Sequence, residues 1–195
     1  MAPSRSKSKI VGIVGNFSIG YNLQSASIAL AFAGDIWPKP DWVAFVTLGT
    51  TSAGIIAGMI SMGYIGDRVG RMPAMCLTTA LTCFSVFVSA FLSFGSDEVV
   101  YTVFSIARLF LGIGIGGTYP LSAVSAAESS GETEDASWQV AKAMFWQAPS
   151  QLSPSLLALV LLCFLGSGQH TNELIFRSVL AAGMAPALVV FIAAW

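Results

Sequence analysis

The chain has 195 residues, of which 55% are hydrophobic and only 10% are charged, and its mean hydropathy is +0.75. Soluble domains carry about 25% charged residues, so this chain lacks the polar surface that would cover a globular protein in water. The formal net charge of −1 excludes a nucleic-acid-binding surface built from basic residues.

Six long runs with few or no charged residues follow one another along the chain. A helix crosses the hydrocarbon core with about 20 apolar residues, and its backbone groups must be satisfied within the segment. The sequence therefore predicts an all-α membrane protein with a cytoplasmic tail at residues 1–9 and a single six-helix unit at residues 10–195. The predicted spans are residues 10–34, 42–65, 72–95, 99–127, 138–166 and 174–195.

The first run shares features with a secretory signal peptide. Three basic residues precede it, and an Ala-Phe-Ala triplet lies near its end at residues 31–33. The run is too long for a signal peptide and contains polar residues such as Asn16 and Asn22. We therefore expect a membrane helix here.

Basic residues in short loops set the orientation of a membrane protein. With the N-terminus inside, Lys39 and Arg177 lie on the outer side. The cytoplasmic side then holds six basic residues, which are Arg5, Lys7, Lys9, Arg68, Arg71 and Lys142. This bias predicts that both ends of the chain lie in the cytoplasm.

A charged, glycine-containing turn separates the second and third spans and reads Gly63-Tyr-Ile-Gly-Asp67-Arg68-Val-Gly70-Arg71. A tight turn between two membrane helices favours glycine, because positive φ is accessible to it at low cost. The carboxylate can accept hydrogen bonds near a helix N-terminus, and the arginines can pair with carboxylates across the bundle. From the residues alone, a basic turn that only fixes topology explains the pattern equally well.

The fourth span contains one cation, Arg108, followed by Gly112, Gly116, Tyr119 and Pro120. A cation within a span faces the bundle interior or a wet cavity, because lipid exposure costs about 2.5–3.5 kcal/mol on insertion scales. Arg108, Gly112 and Tyr119 fall on one helical face. The glycines permit close helix packing, and Pro120 removes one backbone hydrogen bond. We expect Arg108 to be a helix-packing or outer-vestibule charge.

The turn resembles the signature G-x-x-x-D-R-x-G-R-[KR] of the major facilitator superfamily, from which Met72 departs at the last position. The resemblance implies one half of a twelve-helix fold, in which this turn is a cytoplasmic latch between two six-helix halves. It implies a latch formed by Gly63, Asp67, Arg68, Gly70 and Arg71. Glu128 lies where the fourth span meets the cytoplasm, so we expect it to pair with Arg68 or Arg71.

The fourth span also resembles the helix R-x-x-x-G-x-G-I-G-G-D-Y-P-L-S-A of phosphate:proton symporters. Sugar porters follow the first part with P-x-Y-x-x-E, which is absent here. Looser likenesses lie at Phe145-Trp-Gln147 and at residues 176–188. The resemblance implies a substrate site that contains Tyr119, Gln147 and Asn22.

Two positions depart from the symporter pattern in a way that bears on coupling. Thr118 stands where the pattern has Asp, and Asn22 lies where it has the second acid of D-x-Y-D. No Asp or Glu lies within any predicted span, although a proton carrier needs a titratable group in its pathway. Coupling therefore resides in a second half, uses another ion, or is absent.

These observations predict a transporter of the major facilitator type that moves a small polar solute, with inorganic phosphate as the leading candidate. A sugar or organic-ion porter, or a truncated half without transport, remains open as an alternative. We expect as partners the solute, the lipid bilayer and a C-terminal six-helix half, but no nucleic acid. The single His170 and the absence of intramembrane carboxylates predict no catalytic residue, cofactor or metal site.

Overall fold

The structure, a computed structural model, describes residues 5–128, 136–166 and 168–195. Of residues 5–9 and of Glu128 only the backbone is described, so the predicted pairing of Glu128 with Arg68 or Arg71 lies outside the described residues. Every regular element in these ranges is an α-helix. The elements are α1 (Arg5–Gly34), α2 (Trp42–Val69), α3 (Arg71–Phe91), α4 (Asp97–Glu128), α5 (Ala136–Phe145), α6 (Gln147–Leu165), α7 (Gln169–Ala182) and α8 (Met184–Ala194).

Five segments of the described chain are long and apolar enough to cross a membrane, judged by length and composition. They are α2, α3, α4, the pair α5–α6 and the pair α7–α8. The 30-residue α1 is not among them, although it packs in the same bundle. Its polar residues Asn16, Ser18, Asn22 and Ser25 are all buried, so the lower apolar content reflects its interior position rather than exposure to water.

The last two predicted spans are each divided into two helices, which the hydropathy pattern did not show. The breaks fall at Trp146 and Gly183, and each precedes a proline by three residues, at Pro149 and Pro186. A proline lacks the N–H that would bind the carbonyl four residues earlier. In both places that carbonyl belongs to the last residue of the preceding helix, so α5 and α7 end there.

Four glycines bring α2 and α4 into backbone contact. Gly54 and Gly58 on α2 face Gly112 and Gly116 on α4, and each pair has the spacing of a small-xxx-small motif. A Cβ atom at any of the four would lie less than 3.0 Å from the backbone of the opposite helix. Glycine is therefore required along this contact.

The α2–α3 connection is a single residue, Gly70, with φ of +106°. A positive φ of this kind is strained for residues with a side chain, which agrees with the expectation that glycine forms this turn. Gly63, by contrast, lies within α2 with open space around it.

At the opposite end of the bundle, Arg177 joins α7 to the end of α3. Its Nη1 donates to the carbonyl of Ala90 at 2.8 Å, and its Nη2 donates to that of Ser93 at 3.4 Å. Nε and Nη2 also donate to Glu173 Oε1 at 3.0 and 2.9 Å, and the guanidinium stacks on Phe94. All three nitrogens of this arginine have acceptors.

Large apolar side chains cover the outside of the bundle. Phe45 and Phe164 are 82% and 85% exposed, and Ile60 is 73% exposed. Such a surface is unfavourable in water but matches the acyl chains of a bilayer. The chain is an integral, multi-pass membrane protein with an all-α fold.

Candidate functional site

Tyr119 and Gln147, which the resemblance to phosphate:proton symporters implies share one site, are in direct contact. Gln147 Nε2 donates a hydrogen bond to the hydroxyl of Tyr119 at 2.6 Å, and both side chains are partly exposed. Gln147 is the first residue of α6, immediately after the break at Trp146. Within the described part of the chain the Tyr119 hydroxyl hydrogen has no acceptor, so it remains available to a ligand.

A glycine on α1 allows α6 to approach closely at this point. A Cβ at Gly20 would overlap Ser150 Oγ and the carbonyl oxygen of Gln147. Ser150 Oγ donates to that same carbonyl at 2.7 Å. The α1–α6 contact thus fixes the start of α6, and with it the position of Gln147.

Asn22 lies deeper in the bundle and is fully buried. Its Nδ2 donates to the carbonyl of Ser18 at 2.9 Å and to the carbonyl of Gly183 at 3.1 Å, so it binds α1 to the break between α7 and α8. Its Oδ1 has no hydrogen-bond partner. No hydrogen bond between described atoms joins Asn22 to Tyr119 or Gln147.

Arg108 lies beside Asn22 rather than beside Tyr119. Its side chain is 1% exposed, and Nη1 donates to the backbone carbonyl of Asn22 at 3.4 Å. The guanidinium carbon is 4.5 Å from the centroid of the Phe104 ring, while Nε and Nη2 have no partner. Tyr119 is eleven residues further along α4, which is about 16 Å at 1.5 Å per residue.

The other buried polar side chains that the structure describes are neutral. Thr118 Oγ1 donates to the carbonyl of Gly114 at 2.8 Å, and Asn16 Nδ2 donates to Ser122 Oγ at 3.3 Å. Among the buried side chains that the structure describes, Arg108 is the only charged one. The contact of Asn16 with Ser122 was not predicted from the sequence. An amide side chain within the first predicted span was the feature that could have indicated an interior hydrogen bond.

The predicted latch residues lie together at the α2–α3 turn. Asp67 near the end of α2 and Arg71 at the start of α3 form an ion pair across the Gly70 turn, and the Asp67 side chain is 72% exposed. The guanidinium carbon of Arg68 is 4.7 Å from the centroid of the Tyr64 ring. The turn is thus a local charged cluster on the surface of this half.

Pro120 lies inside α4, which continues to Glu128. The carbonyl it leaves without a helical donor belongs to Gly116, in the contact with α2.

A cavity of about 410 Å³ is lined by residues of α1 and α5 with Trp146, and Lys142 lies over the ring of Trp138 there. Neither Tyr119 nor Gln147 lines that cavity.

Within the described ranges, no group of three or more His, Cys, Asp or Glu residues could hold a metal ion.

Known proteins resemble this chain over almost its full length. The family model described as "Sugar (and other) transporter" matches residues 10–195. Inorganic phosphate transporter PT2 of Toxoplasma gondii is 36% identical over 197 residues, which cover 97% of this chain and 34% of that protein. Probable inorganic phosphate transporter 1-9 of Arabidopsis thaliana is 28% identical over 172 residues, covering 86% of this chain and 32% of that protein.

Solved structures agree on the fold. The xylose transporter XylE from E. coli, in a partially occluded inward-open conformation, superposes with a TM-score of 0.81 at 21% identity, over 97% of this chain and 47% of XylE. The proton:xylose symporter XylE bound to 6-bromo-6-deoxy-D-glucose gives a TM-score of 0.80 at 21% identity, over 97% of this chain and 44% of that one. The chain spans about a third of the length of the curated relatives it matches. It belongs to the sugar (and other) transporter family, and it has the fold of one half of a major facilitator transporter.

Proposed function

We propose that this chain is the N-terminal half of a transporter that moves inorganic phosphate across a membrane by alternating access. The observation that carries the proposal is the charge of the interior. Its described buried side chains include one cation, Arg108, several neutral hydrogen-bonding groups and no carboxylate. Such an interior favours an anionic solute, and the relatives named above are phosphate transporters.

Tyr119 and Gln147 supply the donors that a dehydrated anion needs. An oxyanion that leaves water must exchange its hydration for hydrogen bonds from the protein. The Tyr119 hydroxyl hydrogen and the second N–H of the Gln147 amide are both available on a partly exposed face. Asn22 Oδ1 would accept a hydrogen bond from a protonated phosphate oxygen once the helices around it separate.

A sugar is the main alternative substrate, because neutral donors also bind hydroxyl groups. The XylE structures support the fold of this chain but share less than a quarter of its residues. The buried guanidinium favours phosphate over a neutral sugar, since a buried cation gains from a negative solute.

The chain would work with a C-terminal six-helix half, with both of its own ends in the cytoplasm. Transporters of this type bind substrate at the interface of two halves near the middle of the membrane. The bias of basic residues supports the orientation. In that arrangement the cluster of Asp67, Arg68 and Arg71 is the cytoplasmic latch, together with Glu128.

Uptake by the full-length protein in cells that lack their own phosphate transporters tests the substrate site. We expect Tyr119→Phe and Gln147→Ala each to raise the apparent KM for phosphate by about tenfold, because each loses a hydrogen bond to a charged ligand. Tyr64→Phe is the matched control, since the Tyr64 ring is exposed on α2 and should leave uptake unchanged.

Phosphate uptake that is indifferent to both site variants, or uptake of xylose or glucose instead, would favour the sugar porter. An immunoblot that finds only a 20.4 kDa species in the native membrane, without uptake, would favour a half that does not transport.

A further inference from the structure

Arg108 is a buried cation whose charge no described carboxylate balances. The side chain is 1% exposed, and its hydrogen bond is a long one, from Nη1 to the backbone carbonyl of Asn22. Ion pairs of the described residues involve Arg71 and Arg177, but not Arg108. An unpaired charge is unfavourable in an apolar interior, so this position favours a negative partner.

The two unpartnered nitrogens of Arg108 define the shape of that partner. Nε and Nη2 form one edge of the planar guanidinium, while Nη1 on the other side is occupied by Asn22. Two parallel N–H groups of this kind bind two oxygens of one anion. Phe104 covers one face of the guanidinium, so a ligand approaches in its plane. Asn22 Oδ1, also buried without a partner, belongs to the residue already bound to Arg108.

Arg177 shows that the same fold can satisfy an arginine fully. Its three nitrogens donate to two backbone carbonyls and to the carboxylate of Glu173. The open edge of Arg108 is therefore a property of that position and is not general to the arginines in these helices.

We propose that Nε and Nη2 of Arg108 bind a phosphate-type oxyanion inside this half, about three helical turns along α4 from Tyr119. The choice of anion rests on the proposed function, but the residues are separate from the Tyr119–Gln147 pair. Because the guanidinium is enclosed, binding requires α1 and α4 to separate around it. The site is a second oxyanion position within this half.

Thermal unfolding of the purified full-length protein tests this site, with inorganic phosphate as the probe and chloride replacing it at constant ionic strength. To remove the other site, the parent protein carries Tyr119→Phe and Gln147→Ala. We expect the melting temperature of this parent to rise with phosphate concentration, as for any ligand that binds the folded state. Adding Arg108→Gln should weaken the apparent phosphate affinity by at least about tenfold, because one partner of a buried charge pair is lost.

Two further variants make the result specific. Asn22→Asp should also weaken the phosphate response, because its carboxylate competes for the guanidinium while Arg108 stays in place. Arg177→Gln is the matched control and should leave the response unchanged. If Arg108→Gln does not fold, Asn22→Asp decides the question.

An equal response to chloride would overturn the oxyanion site and leave a simple counter-ion. A phosphate response that survives Arg108→Gln or, where that variant does not fold, Asn22→Asp would overturn the proposal, and so would its absence from the parent. If the uptake assay finds sugar transport while the Arg108-dependent phosphate response persists, the proposed function fails and this binding site stands.

Discussion

The two sides of α4 make contacts of opposite kinds. Toward α2, Gly112 and Gly116 place backbone against backbone, with no room for a single added carbon. Toward α1, Arg108 and Ser122 make polar contacts that leave two guanidinium nitrogens without a partner. One side is fixed by shape, whereas the other retains unused hydrogen-bonding capacity.

The difference separates positions that hold the fold from positions that can bind a solute. A contact filled by backbone atoms has one arrangement and tolerates little change, because interiors are close-packed. A buried polar group without a partner is costly, so its presence points to a ligand or a moving element. Substitutions on the two sides should therefore differ in which property they change.

The largest effect on stability is expected from Gly112→Ala on the α2 side. The added Cβ would meet the backbone of Thr51 and Gly54, which cannot move aside as a side chain can, so this overpacking should lower the free energy of unfolding by about 3 kcal/mol or more. Unfolding of the purified full-length protein, followed by fluorescence, measures the change.

Gly49→Ala in α2 is the matched control, because a Cβ there meets open space. It should be neutral or raise the free energy of unfolding by up to about 1 kcal/mol, since alanine favours a helix over glycine. Equal free energies of unfolding for Gly112→Ala and Gly49→Ala would mean that the α2–α4 contact leaves room for an added Cβ.

Replacing Arg177 or Arg108 should change the free energy of unfolding less than Gly112→Ala does. The two substitutions should not act in the same direction. Arg177→Gln should lower the free energy of unfolding by about 1–3 kcal/mol, because hydrogen bonds to two carbonyls and to Glu173 are lost. Arg108→Gln should leave it unchanged or raise it, since the substitution removes an uncompensated buried charge.

Both arginine variants are compared in chloride without phosphate, by the same unfolding measurement. The reverse order of stability would mean that Arg108 is a packing residue and that the α1 side of α4 resembles the α2 side.

The smallest effect on stability is expected at the exposed α2–α3 turn, which belongs to neither of the two α4 contacts compared above. Asp67→Cys breaks the ion pair with Arg71 and should change the free energy of unfolding by less than about 1 kcal/mol, because exposed pairs contribute little. The transport rate should nevertheless change if the turn is a latch.

The same cysteine reports the orientation of the chain. An impermeant thiol reagent should label it from the cytoplasmic side alone, with the parent protein and its own three cysteines as the background. Labelling from outside would reverse the proposed topology, and an unchanged transport rate would leave the turn without a latch role.

Much of the fold follows from local features of the sequence. Long apolar runs specify the membrane helices, because each helix must bury its own backbone polar groups in lipid. The one-residue turn at Gly70 follows from glycine's access to positive φ. The breaks at Trp146 and Gly183 were available in principle from Pro149 and Pro186, although the hydropathy pattern hid them.

The contacts between helices were decided only by the tertiary structure. A helical projection grouped Arg108 with Gly112, which are about 40° apart around the helix. The rotation of α4 in the bundle turns Gly112 toward α2 and Arg108 toward Asn22 of α1. The sequence by itself determined that the chain is built from long apolar helices and that a glycine turn follows the second one, since those are properties of single segments. Which buried groups meet, and which two nitrogens of Arg108 stay free, depends on how several helices are rotated and packed together, and no single segment contains that information.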